Sequence, residues 1–233
     1  MWLLLGNLHF SHDVALAQHA YIQAIDANGK SPVPWTNLGF LYLQAGDLAL
    51  AEEAFVRAQT IDPEWPGSWL GSALVHRTHQ GDARVFTRLF EQAYLLSDGA
   101  LLEADYGFAL AMFQRAKAGT PFASVRMMEP LLALHHYMTQ LPHDETVLHL
   151  SALLAEQMGG AALAAQRIER ASTLLETEYE ATESTSSALR YGLANLNLGR
   201  IHLMHGGADA AVDALEAAQA LLDLSLIHIS EPT

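Results

Sequence analysis

Small residues recur here at the positions where neighbouring helices must touch. Between residues 32 and 63, Trp35, Leu38, Gly39 and Tyr42 form the pattern W-x₂-L-G-x₂-Y, and Ala51, Phe55 and Ala58 form A-x₃-F-x₂-A, with Pro63 closing the run. Spacings of three and four put Trp35, Leu38 and Tyr42 on one helical face, with Gly39 on the same stripe. A glycine there lets a second helix approach closely. Ala51 and Ala58 do the same from the other side, and Phe55 fills the space between them. Gly46-Asp47 interrupts the run, and Asp47 has the chemistry of an N-cap. Pro63 cannot continue a helix, and it pushes Asp62 out of the helical region. The spacing predicts helices over about 32–45 and 48–61. A lone amphipathic hairpin would show the apolar stripes without needing small residues at the contact positions.

The pattern resembles the tetratricopeptide repeat (TPR), with every signature position filled. It returns along the chain. Trp2, Leu5, Gly6 and His9, with Ala17, Tyr21 and Ala24, form an earlier and less regular copy. Trp69-Leu70-Gly71, the Gly81-Asp82 turn, Phe86, Phe90 and Ala93 form a third, its turn 35 residues after Gly46-Asp47. A degenerate fourth copy has a helix from Leu101 to Ala118 containing Tyr106-Gly107, a turn at Gly119-Thr120-Pro121, and a helix from Phe122 to Gln140. Pro130 inside that helix predicts a kink or break. The fifth copy has Ser151-Ala152, a Gly159-Gly160 turn, and Ala164, Ile168 and Ala171. The sixth has Leu198-Gly199, His202, a Gly206-Gly207 turn, and Ala211, Leu215 and Ala218. The polar stretch 176–187 either extends a helix or forms a solvated connector, where phosphorylation is conceivable. The expected fold is all-α: about six helix pairs over residues 1–223, stacked into a right-handed α-solenoid with a concave and a convex face. The chain opens inside a repeat helix with no cap before it, as expected of an internal piece of a longer array.

Residues 224–233, Leu-Ser-Leu-Ile-His-Ile-Ser-Glu-Pro-Thr, are expected to leave the helical pattern. They resemble the translation of a transposase adapter used in sequencing libraries. They are read as an assembly artefact, with no function assigned.

Composition narrows the chemistry. The formal net charge is −14, with only two lysines, Lys30 and Lys117, so direct nucleic-acid binding is not expected. Cysteine is absent, which excludes disulfides and thiol chemistry and is compatible with the cytoplasm. Met1-Trp2-Leu3-Leu4-Leu5 lacks the basic region and cleavage site of a signal peptide, and no apolar run reaches the ~20 residues of a membrane span. Twelve histidines raise the question of a metal, but their pairs lack a converging third ligand and no HExxH occurs. His9 and His202 occupy the repeat position held by Tyr42, which makes them repeat residues. No GxSxG elbow, phosphate-cradling loop or singled-out carboxylate pair is present. No catalytic residue, cofactor, metal or small-molecule ligand is therefore assigned.

Function is then expected on the inner groove, lined in a TPR by the first helix of each pair. Val33, Thr36, Phe40, Leu43 and Gln44, followed by Leu70, Leu74 and Arg77, are the expected protein-contacting residues. The competing reading is that several of them pack against neighbouring helices. A peptide clamp needs lysine, arginine and asparagine converging on a carboxylate, which two lysines supply poorly. A groove of apolar and acidic groups suits an extended or helical protein segment.

A longer run is more specific than a generic repeat. Ala15 to His19, Pro34 to Leu43, Ala54-Phe55-x-x-Ala58-Gln59-x-x-Asp62-Pro63 and Trp69-x-Gly71-x-Ala73-Leu74 together resemble the tetratricopeptide subunit of the Ski (superkiller) complex. Tyr106-Gly107 and the Tyr191–Gly199 segment fit the same order, so the resemblance covers about 1–222. It implies a cytoplasmic, non-catalytic scaffold holding an RNA helicase and β-propeller subunits for exosome-dependent 3′-to-5′ mRNA decay. That family's Gln-Arg-x-x-hydrophobic motif is not filled: Gln166-Arg167 is followed at that spacing by Arg170. The alternative is a TPR adaptor docking peptide motifs for chaperones or transport.

Overall fold

A computed structural model describes residues 1–79, 82–117 and 128–230, with side chains as far as Leu221. Among the described residues there are helices and connecting turns but no strand. The chain divides into two compact units, Met1–Thr120 and Pro121–Thr233.

The first unit holds α1 (Trp2–His9), α2 (Val14–Ala27), α3 (Pro32–Gln44), α4 (Leu48–Ile61), α5 (Pro66–Thr78), α6 (Ala83–Ser97) and α7 (Leu102–Lys117). Each packs against the next, and α3 also packs against α5. The second unit holds α8 (Met128–Gln140), α9 (Glu145–Gln157), α10 (Ala161–Thr182), α11 (Thr185–Met204) and α12 (Ala208–Ser230), again packed in succession.

The helix ends follow from local chemistry. Asp13, Asp47 and Asp82 precede α2, α4 and α6, and each carboxylate accepts a backbone N–H of the first turn: Leu16 N at 3.0 Å, Leu50 N at 3.1 Å and Arg84 N at 2.8 Å. This satisfies donors that the helix itself cannot. The turns before α4 and α12 pass through a left-handed residue, Gly46 at φ 82° and Gly206 at φ 88°, which a side chain would strain. Asp62 is extended at φ −144°, as a residue before proline must be.

The core lies along the joints between helices. Ala51, Phe55 and Ala58 are fully buried, as are Ala17, Ala93, Ala164, Ile168 and Ala171 at equivalent places. Burying a Phe or Ile side chain contributes roughly 1.5–3 kcal/mol, so each joint stabilises its hairpin appreciably. The glycines allow the contact. A Cβ added to Gly39 of α3 would lie 2.6 Å from Phe55 Cε1 on α4, and one added to Gly71 of α5 would strike the same ring edge. Gly6 abuts Tyr21, Gly107 abuts Phe90 and Gly199 abuts Leu215 in the same way.

Three segments extend the sequence reading. The 176–187 stretch is helical to Thr182. Glu183 then turns left-handed at φ 47°, and Ser184 caps α11 by accepting from Ser187 N at 3.1 Å. Pro130 is buried within α8, while the expected turn at 119–121 and the helix from 122 to 127 lie outside the described residues. The expectation that 224–230 leave the helical pattern is corrected: α12 runs on to Ser230. That stretch holds no glycine, and its first proline is Pro232, so nothing in it stops helix propagation. Residues 231–233 lie outside the described residues.

Candidate protein-binding surface

The first helices of successive pairs are α1, α3, α5 and α7 in one unit and α9 and α11 in the other, and the positions expected to meet a partner lie on α3 and α5. Among the expected residues, Thr36 and Leu70 are buried, at 3% and 5% exposure, and the Thr36 hydroxyl donates to Pro32 O at 3.0 Å. Val33, Phe40, Leu43 and Leu74 are half-buried. Phe40 meets Phe55 edge-on with ring centroids 5.1 Å apart, and Leu43 packs on the same cluster. Gln44 and Arg77 are exposed, with the Arg77 guanidinium 5.6 Å above the centre of the Phe90 ring. The eight positions thus grade from interior packing to open surface.

Polar links tie the first helices together. Asn7 of α1 accepts from Tyr21 Oη at 3.0 Å and from Asn37 Nδ2 of α3 at 2.8 Å. Burial pushes the Tyr21 hydroxyl above the usual tyrosine range, and its hydrogen bonding opposes this. At the α4–α5 joint, Gln59 donates to Ser72 Oγ at 3.1 Å and Ser72 donates to Glu52 Oε1 at 3.3 Å. Burial raises the Glu52 carboxyl, while nearby His76 and the Ser72 bond pull it back down.

In the second unit a polar ladder runs between α9 and α11. Arg200 grips Glu156 with both terminal nitrogens, at 2.5 and 2.6 Å. One turn away, Asn197 Nδ2 lies 2.9 Å from His149 Nε2. Arg190 reaches Glu145 at 2.6 Å and also pairs with Glu178 of α10. Burial holds His149 below the usual histidine range, and the Arg200 charge adds to that. A neutral ring with Nε2 bare is the form that can accept from Asn197. Beside the ladder, α11 exposes Leu189, Leu193 and Leu196, each over 40% accessible, with Leu203 at 64%. That stripe has helical spacing and is visible in the sequence. The ladder is not, because its partners lie 44 to 48 residues apart.

A cleft of about 310 Å³ opens between α8, α9 and α10. His135, Gln166, Arg167 and Arg170 supply its polar wall. Arg167 donates to Ser151 Oγ on α9. No group of three or more metal-ligating side chains gathers among the described residues, and no described helix is long and apolar enough to cross a membrane.

No protein-family model matches the chain. It is 24% identical over 229 residues to Superkiller protein 3 of Saccharomyces cerevisiae, covering 96% of this chain and 16% of that protein. It is 30% identical over 201 residues to Tetratricopeptide repeat protein 37 of Xenopus laevis, covering 82% of this chain and 13% of that protein. Superkiller complex protein 3 of Mus musculus is 28% identical over 210 residues, with 87% of this chain and 13% of that protein covered. The chain therefore spans about a sixth or less of these relatives. Among solved structures, YrrB, described as a TPR protein with an unusual peptide-binding site, superposes with a TM-score of 0.70 at 14% identity, covering 91% of this chain and 98% of that one. PilW, a type IV pilus biogenesis factor, superposes at 0.61 with 16% identity, covering 94% and 91% of the two chains. The resemblance to the superkiller TPR subunit is thus met by homologues of that name, and the fold is a TPR solenoid fold.

Proposed function

We propose that this chain is a non-catalytic scaffold segment of the Ski-complex type, presenting helical faces to protein partners in the cytoplasm. The observation that carries the reading is the similarity to Superkiller protein 3 over 96% of the chain. Physically, stacked hairpins bury their small and aromatic residues against one another. What remains for a ligand is an extended surface of half-buried apolar and paired polar groups, suited to another protein's helix or strand. By the resemblance, the partners are an RNA helicase and β-propeller subunits, and the process is exosome-dependent 3′-to-5′ mRNA decay. Positions for contact are Val33, Phe40, Leu43, Gln44, Leu74 and Arg77, with Thr36 and Leu70 supporting them from beneath.

The test is affinity purification of the full-length protein from its own cells, followed by mass spectrometry. Recovery of a helicase together with a propeller subunit is expected; recovery of neither overturns the assignment. Carboxylate-dependent binding of short C-terminal peptides, without those subunits, would move the protein to the adaptor class.

A further inference from the structure

The cleft between α8, α9 and α10 sets two arginines that lack a carboxylate partner among the described residues beside an apolar wall. Arg57, Arg190 and Arg200 by contrast each lie against a glutamate. Among the described residues, neither Arg167 nor Arg170 is paired with a carboxylate, and no carboxylate lines the cleft. Arg167 is half-buried and bonds only a neutral hydroxyl, Ser151 Oγ. Arg170 stands one turn further along α10 and is exposed. Both guanidiniums therefore keep donors for a ligand, in a chain whose formal net charge is −14. Met138 and Leu163 give the cleft an apolar side.

We infer that this cleft receives an acidic segment of a protein partner: a side-chain carboxylate forked by Arg167 and Arg170, with a neighbouring apolar side chain set against Met138 and Leu163. The inference rests on the protein-binding reading of the preceding subsection and adds a place and a chemistry to it. Guanidinium groups suit this task because their planar donors match the two oxygens of a carboxylate. Burial of Arg167 without a counter-charge leaves an electrostatic cost that an incoming carboxylate removes. The net negative charge of the chain opposes any anion at a distance, RNA and acidic peptide alike; the apolar side formed by Met138 and Leu163 favours the peptide, which can set an aliphatic side chain against it.

The experiment is fluorescence anisotropy on the whole chain with a fluorescein-labelled peptide containing Asp-Glu-Leu-Asp-Glu, against its Asn-Gln-Leu-Asn-Gln counterpart. Saturable binding of the acidic peptide is expected. It should weaken about tenfold or more in the Arg167→Gln/Arg170→Gln double variant and in the neutral peptide, the loss of roughly one charge-assisted pair. The Arg170→Gln single variant, at an exposed site, provides the same readout without disturbing Ser151. Equal binding of both peptides, or unchanged binding by both variants, overturns the inference. So does displacement of the acidic peptide by a single-stranded uridine oligonucleotide at a lower concentration than by unlabelled peptide. Partner recovery from cells by a double variant that no longer binds the peptide would overturn this site while leaving the scaffold reading standing.

Discussion

The edge of the Phe55 ring that faces Gly39 on its own hairpin also faces Gly71 on the next one. One side chain on α4 therefore closes two joints, α3–α4 and α4–α5. Gly71→Ala gives the helix a better former, worth up to about 1 kcal/mol, but drives a methyl into the ring. Overpacking of this kind costs typically about 1–3 kcal/mol, so a net loss of stability is expected by urea denaturation. The double variant Gly71→Ala/Phe55→Leu should lose less than the sum of the singles, since the clash is with the ring itself. Additive losses would mean that the ring moves aside freely.

The Arg200–Glu156 pair should respond as a directed contact. The Glu156 side chain is 12% exposed and that of Arg200 42%, so solvent screens the pair only in part. Arg200→Met is expected to cost about 1–2 kcal/mol, because it strands a largely covered carboxylate. The Arg200→Met/Glu156→Met pair should recover part of that loss. A double-mutant cycle read by chemical denaturation decides the point; no coupling would place the pair among ordinary surface ion pairs.

His149 links stability to acid. Its folded-state pKa lies below the ordinary histidine value of 6.5, first through burial and then through Arg200. The folded protein thus keeps a neutral ring at pH values where the unfolded chain already binds the proton. The stability from this group is complete above about 6.5 and declines as the pH falls from there through the lowered pKa. Thermal unfolding midpoints at about pH 7.5 and 5.0 should therefore differ less in His149→Gln than in the parent chain, with the glutamine oxygen still able to accept from Asn197. A larger acid loss in the variant would contradict the neutral-ring assignment.

Asp144 does three jobs with one carboxylate. It accepts from Thr146 N at 3.0 Å and Val147 N at 3.2 Å to cap α9, and from Tyr137 Oη of α8 at 2.9 Å. Asp144→Ala should cost about 1–2 kcal/mol, the upper range for a lost cap. Asp144→Asn, which keeps an acceptor, should recover most of it. Tyr137→Phe should show a smaller loss that is not additive with Asp144→Ala.

Much of this architecture was legible because it rests on local rules. The glycines, alanines and rings mark helix contacts, and Asp13, Asp47 and Asp82 mark helix starts, since a cap bonds within three residues of itself. Residues 176–182 were ambiguous because polar side chains carry no apolar stripe to set a period. Of the groove positions, Gln44 and Arg77 were placed at the surface and Thr36 and Leu70 in the interior, a distinction that depends on how the neighbouring helix is rotated. The α9–α11 ladder and the α8–α10 cleft escaped the sequence for one reason. Each joins side chains on different helices, and only the register between repeats brings Arg200 to Glu156 or sets Arg170 and His135 along one cleft.

The shared use of Phe55 also governs how such a chain can be dissected. Severing it between Ile61 and Pro66 would strip Gly71 from the ring and uncover the side of the phenyl that faced α5, leaving the leading piece with apolar surface ready to adhere to whatever it meets. Truncations made at that seam would report stickiness in place of partner choice, so the fragment boundary belongs elsewhere along the chain.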